Sequence, residues 1–201
     1  MSKKVNNKKD IYNKIFENAF NEHLNVIKES HVQISKKLKE ASNLIAKSLK
    51  SGGTIYWCGN GGSAADSQHI AAEFVGRFKN DRKPLKSIAL TTDTSVLTCV
   101  ANDYSYEEIF SRQIKALGKK GDVLVAITTS GKSKNITKAL IQAKKMKIKT
   151  VGLLGKGGGE CKNYSDISII VPSNVTARIQ EAHILIEHLI CELVEHKLGF
   201  N

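Results

Sequence analysis

Apolar residues recur every three or four positions along residues 11–50, which is the period of a helix that buries one face. The positions that mark this period are Phe16, Phe20, Leu24 and Ile27, followed by Ile34, Leu38, Leu44 and Leu49 in a second stretch. We therefore expect N-terminal helices over residues 11–50, preceded by a flexible, basic tail over residues 1–10. The apolar stripes are wide, and a partner subunit is a natural candidate to cover them.

Beyond residue 50, short aliphatic runs alternate with helical stretches. Strands are predicted at residues 54–58, 87–91, 122–127, 150–154 and 166–171, with one helix ending near residue 77 and others at residues 106–117, 134–145 and 175–197. Near-continuous aliphatic strands alternating with helices are typical of a parallel sheet covered on both faces. The predicted fold is α/β: a single domain over residues 11–201, whose five-stranded, parallel, flavodoxin-like sheet is flanked by helices.

Composition and charge narrow the class of protein. The chain has 201 residues, enough for one domain, and its 41% hydrophobic and 25% charged residues exclude a disordered protein. The net charge of +12 would suit nucleic acid, but the lysines are spread and few aromatic residues accompany them, so we interpret them as solvated helix faces. No two of the four cysteines have C-x-x-C spacing, which predicts reduced thiols in the cytoplasm. We expect no secretory signal and no membrane span, because residues 1–10 lack an apolar core and the longest aliphatic run is short.

Two polar loops follow predicted strands, where a sheet of this kind binds its ligands. In the first, Gly59-Asn60-Gly61-Gly62-Ser63, glycines would let backbone N–H groups approach an anion at a helix N-terminus. A tight turn without a ligand explains this loop equally well. The second, Thr128-Thr129-Ser130-Gly131-Lys132-Ser133, has four hydroxyls, whereas helix N-capping needs only one, so we favour a phosphate site there. A third loop, residues 155–159, is predicted as a flexible connection.

Candidate residues for metal binding or proton transfer lie on two predicted helices. His69 and Glu73 are four residues apart and share a helix face, so they could bind zinc or simply form an exposed pair. Gln180 and His188 are eight apart, about 12 Å along a helix, so ligands of one zinc at these positions would have to lean together or come from different chains. Asp103, after Asn102, could orient a sugar hydroxyl or act as an N-cap or turn residue.

Several ordered motifs together resemble those of the phosphoheptose isomerases of the sugar isomerase (SIS) domain family. They are Cys58-Gly59-Asn60-Gly61-Gly62-Ser63, Gln68-His69, Glu73, Gly76-Arg77-Phe78, Ala101-Asn102-Asp103, Ile109-Phe110-Ser111-Arg112, Gly121-Asp122-Val123-Leu124, Thr129-Ser130-Gly131 and Ala177-Arg178-Ile179-Gln180-Glu181. The resemblance covers residues 11–198. It implies a SIS fold, a homotetramer with active sites between subunits, one zinc per subunit, and interconversion of sedoheptulose 7-phosphate and D-glycero-D-manno-heptose 7-phosphate for surface glycans.

The resemblance also assigns residues to roles. It places His69, Glu73, Gln180 and His188 at zinc-ligand positions, Asn60, Gly61, Gly62 and Ser63 in one substrate loop, Asn102 and Asp103 in a second, and Thr128, Thr129, Ser130 and Ser133 around the phosphate. Glu73 and Gln180 would also face the substrate. Isomerisation through an enediol needs a base beside the carbonyl and a second proton carrier, for which we favour Glu73 and His188. A zinc-bound Glu73 would be a weaker base, so its two roles compete. Ala177 departs from the acidic residue that some members carry there.

Three alternative functions share parts of this sequence pattern. A replication-initiator-associating protein has the same fold and acts by binding, but it lacks the counterparts of Glu73 and His188, which this chain has. A phosphosugar-sensing regulator would carry an added helix-turn-helix domain, for which this chain has no room. An isomerase of a different phosphosugar is the third alternative, because the loops specify phosphate better than they specify carbon number.

Overall fold

The structure is a computed structural model that describes residues 2–200, with side chains described for residues 10–200. The chain begins with one helix, α1 (Ser2–Lys50), where the sequence suggested two helical stretches. The helix continues because neither glycine nor proline, the residues that most often end helices, occurs before Gly52. The chain is already helical from Ser2, while the side chains of residues 2–9 lie outside the described part, so the domain boundary at residue 11 stays a prediction.

Five strands and five further helices follow α1. They are β1 (Ile55–Gly59), α2 (Gly62–Val75), β2 (Ser87–Ala89), α3 (Thr94–Asp103), α4 (Ile109–Leu117), β3 (Val123–Thr128), α5 (Lys134–Lys145), β4 (Lys149–Leu154), β5 (Ile167–Ile170) and α6 (Thr176–Leu198), with 3₁₀ turns at Tyr106–Glu108, Lys156–Gly158 and Glu160–Tyr164. All strands are parallel, in the order β2-β1-β3-β4-β5. The predicted flavodoxin-like α/β sheet is therefore confirmed.

Alternate residues of the strands point to opposite faces of the sheet and build two cores. Ile55 and Trp57 face the core shared with α1, α2 and α6, while Tyr56 and Cys58 face the core shared with α4 and α5. Trp57 is fully buried, and its indole N–H donates to Ser87 Oγ at 2.8 Å on the neighbouring strand. None of the described helices is long and apolar enough to cross a membrane.

Two loop predictions need correction. Asn102 and Asp103 are the last residues of α3, so Asp103 is neither an N-cap nor part of a loop before the next helix. The true N-cap of α3 is Asp93, whose carboxylate accepts from Val96 N–H at 2.9 Å. The Gly155–Gly159 segment, predicted as a flexible connection, contains a 3₁₀ turn and is buried at Gly155 and Gly158.

Parallel strands bring all their carboxyl ends to one edge of the sheet. The loops that follow β1, β3 and β4 are therefore neighbours, and α2 and α6 begin at the same edge and pack side by side. The polar residues singled out in the sequence are concentrated on these loops and helices.

Candidate active site

Three of the four predicted phosphate-loop hydroxyls converge at the end of β3. Thr128 Oγ1 lies 3.4 Å from Ser130 Oγ and 3.3 Å from Ser133 Oγ. Backbone N–H groups of Gly131 and Lys132 donate into the same group, to Thr128 Oγ1 at 3.3 Å and Ser130 Oγ at 3.2 Å. Thr129 is half-buried beside them and makes no side-chain hydrogen bond among the described residues.

Helix capping does not explain these hydroxyls. Ser133 is the N-cap residue of α5, yet its side chain makes no capping hydrogen bond. The first N–H groups of α5 thus carry partial positive charge towards a cluster of hydroxyl groups, which is the arrangement in which helix N-termini hold anions. This geometry favours the phosphate interpretation over the capping one.

The loop after β1 brings Gln180 close to the start of α2. Gly61 has a positive φ of 58° and precedes the helix, and Ser63, which is buried, donates its N–H to Asn60 O at 3.1 Å. A Cβ atom on Gly62 would lie 1.7 Å from Gln180 Nε2, so only glycine leaves room for that side chain. Gly62 therefore allows the close approach of a polar side chain from α6.

A pair of asparagines ties the two loops together. Asn60 Nδ2 donates to Asn135 Oδ1 at 2.9 Å, and Asn135 Nδ2 donates back to Asn60 Oδ1 at 2.8 Å. Tyr106 completes the group, because its hydroxyl donates to Asn60 Oδ1 at 3.0 Å. Sequence reasoning missed Asn135 and Tyr106, since their partner is distant along the chain and neither stands in a motif of its own.

Three of the four predicted zinc-ligand residues meet between α2 and α6. His69 Nε2 lies 3.2 Å from Glu73 Oε1, and the rings of His69 and His188 pack edge to face with centroids 5.1 Å apart. Phe78 stacks on His188 with centroids 5.4 Å apart. Gln180, the fourth predicted ligand, lies instead against Gly62, two helical turns before His188. Within the described residues, no group of three or more His, Cys, Asp and Glu side chains is arranged as a metal site.

A second carboxyl group is buried at the residue that precedes His188 in α6. Glu187 is fully buried, and neither of its oxygens has a hydrogen-bond partner among the described residues. Burial raises the pKa of Glu187 well above its ordinary value, and the nearby charge of Asp66 adds to the effect. Burial also raises the pKa of Asp66, although His69 and Gln180 oppose the shift. The surroundings of Glu187 therefore favour the protonated form of its carboxyl group.

His183, also on α6, has a structural place. Burial lowers the pKa of His183 to about 4, so the ring is neutral near pH 7. Its Nε2–H donates to the carbonyl oxygen of Leu154 at 3.2 Å, at the end of β4. This bond fixes the first turns of α6 against the sheet edge that carries the loops.

A buried ion pair holds the segment that follows α2. Arg82 Nε lies 2.7 Å from Glu195 Oε1, and both side chains are almost completely buried, at 2% and 3% exposure. Arg82 also donates to the carbonyl oxygens of Glu73 and Phe74, each at 2.8 Å. Glu195 accepts from the N–H groups of Phe78 and Lys79 at 3.1 and 3.2 Å. The pair thereby sets the position of Phe78, which stacks on His188.

Asn102 and Asp103 stand apart from the other candidates. Both are exposed at the end of α3, where Asn102 Nδ2 donates to Asp103 Oδ1 at 2.8 Å. This bond and a contact from Cys99 lower the pKa of Asp103. Among the described residues, no hydrogen bond joins either side chain to the loops after β1 or β3, so their predicted contact with substrate stays a prediction.

The fold and the hydroxyl loop define a SIS-domain protein, and a family model of the SIS domain matches residues 18–155. A phosphoheptose isomerase from Clostridium acetobutylicum is 55% identical over 166 residues, 83% of this chain and 85% of that protein. The structure of phosphoheptose isomerase GmhA from Neisseria gonorrhoeae is 39% identical with a TM-score of 0.88, covering 92% of this chain and 99% of that one. A phosphoheptose isomerase from Francisella tularensis is 34% identical with a TM-score of 0.89, covering 91% and 97%.

These similarities extend over nearly the whole chain. The chain belongs to the phosphoheptose isomerase family of SIS-domain proteins. The predicted family and fold are thereby confirmed.

Proposed function

We propose that this protein interconverts sedoheptulose 7-phosphate and D-glycero-D-manno-heptose 7-phosphate, supplying heptose for lipopolysaccharide, capsule or another surface glycan. The observation that carries the proposal is the convergence of three hydroxyls and the N-terminus of α5, without a capping bond, at the end of β3. Relatives at about half identity are named for this activity. The Asn60–Asn135 pair holds a second polar loop beside the first, where the sugar chain would lie.

The reaction needs two proton carriers, and the pair between α2 and α6 suits it. Glu73 is the proposed base that removes a proton from the carbon beside the carbonyl, and His188 the group that moves protons between the two oxygens of the enediol. Phe78 restricts the His188 ring by stacking, and His69 holds Glu73 by a hydrogen bond. Both residues are positioned by neighbours before any substrate binds.

We also propose a zinc ion at His69, Glu73 and His188, with Gln180 as a fourth donor. Two imidazoles and a carboxylate are a donor set that zinc prefers, and His69 lies beside both Glu73 and His188. In their described positions the three side chains do not converge on one point, so zinc binding requires them to rotate towards each other. When bound, zinc would polarise the substrate carbonyl. Gln180 lies by Gly62 in this structure, so its participation requires its side chain to leave that position or to come from another subunit.

The distances along α2 favour an active site built by two subunits. Glu73 lies eleven residues after Gly62, about 16 Å along the helix axis, while Gly62 begins the helix beside the phosphate loop. One sugar phosphate is too short to join these groups within a single chain. A second subunit placing its Glu73 and His188 over this phosphate loop would complete the site.

The surface of α1 supports such an assembly. Six large apolar side chains in its N-terminal half are more than half exposed: Ile11, Tyr12, Ile15, Phe16, Phe20 and Leu24. Contiguous apolar surface of this kind marks a protein interface. We propose a homotetramer in which α1 covers the equivalent surface of a partner, acting in the cytoplasm, where the four unpaired cysteines suit a reducing environment.

The test is turnover of sedoheptulose 7-phosphate by the purified protein, with zinc content measured by mass spectrometry. We expect loss of turnover in Glu73→Gln and in His188→Ala. Turnover should be normal in Glu192→Gln, which changes an exposed carboxylate on α6, the helix that carries His188. Glu73→Gln with zinc retained but activity lost would assign Glu73 as the base, whereas loss of both would assign it as a ligand. Absence of turnover by the folded, zinc-loaded wild type would exclude this reaction and leave another phosphosugar or a replication-initiator partner.

A further inference from the structure

The phosphate loop rests directly on the backbone of the segment after β4. Cys161 N–H donates to Gly131 O at 3.0 Å, which joins the 3₁₀ turn Glu160–Tyr164 to the hydroxyl loop. Gly131 in turn supplies the N–H that reaches Thr128 Oγ1. Gly131 therefore links the segment after β4, which bonds to its carbonyl oxygen, with the hydroxyl of Thr128, which bonds to its N–H.

Only glycine fits where the two segments meet. A Cβ atom on Gly159 would lie 2.5 Å from Gly131 O and 2.9 Å from Ser130 O. A Cβ atom on Gly131 would lie 2.1 Å from Gly158 O. The three nearest atoms that either Cβ would meet all belong to the main chain, which cannot rotate away as a flexible side chain can. The contact therefore requires glycine both at residue 131 and at residue 159.

We propose that the contact between Gly131 and Gly159 sets the position of the hydroxyls that bind the substrate phosphate, which makes Gly159 a positioning residue for that group. Any side chain at residue 159 pushes Gly131 and Ser130 away, and the N–H bonds that orient Thr128 and Ser130 are lost with them. The phosphoester then meets hydroxyls that no longer converge. The inference rests on the proposed function, because it assumes that this loop binds phosphate.

The same segment provides a matched control. Gly157, two residues earlier, also has a positive φ, 76° against 52° for Gly159, but a Cβ atom there meets nothing within 4 Å. Alanine at Gly157 carries only the modest cost of a left-handed conformation, because its ψ is 3°, whereas Gly159, with ψ −149°, lies in a region almost confined to glycine. Gly157→Ala therefore controls for a side chain added to this segment, while Gly159→Ala adds both the contact with the phosphate loop and backbone strain at the point of contact.

The experiment measures steady-state turnover together with inhibition and calorimetric binding by inorganic phosphate. For Gly159→Ala we expect KM and the inhibition constant of phosphate to rise together by about 10-fold to 100-fold, the loss that displacement of a positioning group can cause. The fall in kcat should be smaller, and Gly157→Ala should match wild type. Equal KM and phosphate affinity in the two variants would overturn the proposal.

Two further outcomes are separable. A wild type that binds phosphate without turning over the heptose substrate would contradict the proposed function, while weaker phosphate binding in Gly159→Ala would still support the contact. If Gly159→Ala does not fold, Cys161→Ala loosens the packing behind the same turn without adding an atom. A rise in KM and in the phosphate inhibition constant of that variant supports the proposal, and unchanged values refute it.

Discussion

Glu195→Gln should lower the free energy of unfolding far more than the same substitution at Glu192, an exposed glutamate on the same helix. The substitution keeps the shape of the side chain but removes its charge, which leaves the buried Arg82 guanidinium without a counterion. It also turns one acceptor oxygen into an NH₂ group that cannot accept from the Phe78 or Lys79 N–H. Loss of one partner of a buried ion pair costs about 3–5 kcal/mol, and we expect the lower end because Arg82 keeps its carbonyl partners.

The chain offers a matched pair for comparison. Lys79 and Glu192 are also 2.7 Å apart, but their side chains are about half exposed. Exposed pairs contribute about 0–1 kcal/mol, so Glu192→Gln should have little effect. In a domain of this length, 3 kcal/mol corresponds to a fall of about 6–12 °C in Tm.

Thermal unfolding of the two variants beside wild type measures this difference, and turnover shows whether the loop that carries Phe78 has moved. Burial alone would raise the pKa of Glu195, but hydrogen bonds from Arg82 and the backbone outweigh it and lower the pKa. Since the folded pKa lies below the unfolded value, the stabilisation is present above about pH 4.3 and disappears as the pH falls through the folded pKa. Similar Tm values for Glu195→Gln and Glu192→Gln near pH 7 would refute this account of the pair.

Three further substitutions test features of the site and of the surface of α1. Glu187→Gln should remove a pH-dependent loss of stability: the folded pKa is raised, so wild type loses stability as the pH rises from the unfolded towards the folded value, and melting curves from pH 5 to 9 should flatten in the variant. Asn135→Ala removes the reciprocal bonds to Asn60, and a rise in KM of about 5-fold to 150-fold, equivalent to 1–3 kcal/mol, is expected; a KM equal to that of Asn163→Ala, on the exposed surface, would contradict it. Phe20→Glu places a charge in the exposed stripe of α1 and should yield smaller particles in analytical ultracentrifugation, with unchanged mass as the opposing result.

The strands and most helices follow from the sequence because their signals are local. The strand β3 is a continuous aliphatic run, and α5 occupies the predicted residues 134–145. The helix α3 was missed because its threonines and valines favour extended structure, and the helix depends on the Asp93 cap and on packing against α4. Local composition could not reveal either contribution.

The residues of the candidate site likewise divide into those with a local sequence signal and those that only the fold brings together. The proposed phosphate loop is contiguous, so four hydroxyls in six residues are enough to select it from the sequence as a candidate. The Asn60–Asn135 pair and the Arg82–Glu195 pair join residues 75 and 113 positions apart, and only the folded chain brings them together. The resemblance to a family could assign Gln180 to a zinc site, but it could not show that within one subunit Gln180 lies against Gly62.

The length of α1 has a consequence for the behaviour of the protein in dilute solution. The helix contacts α6 from Ala19 onwards, through Arg178 and through the His23–Glu181 bond, so the stretch before residue 19 extends past the start of α6. Most of the stability of a helix in a protein comes from packing of its apolar face, so this exposed stretch depends on a surface to pack against. In the proposed tetramer a partner covers this stretch, so we expect its helix content, measured by circular dichroism, to fall on dilution if that assembly forms, and to stay constant if it does not. An enzyme whose active site depends on this assembly would have a lower specific activity at low protein concentration.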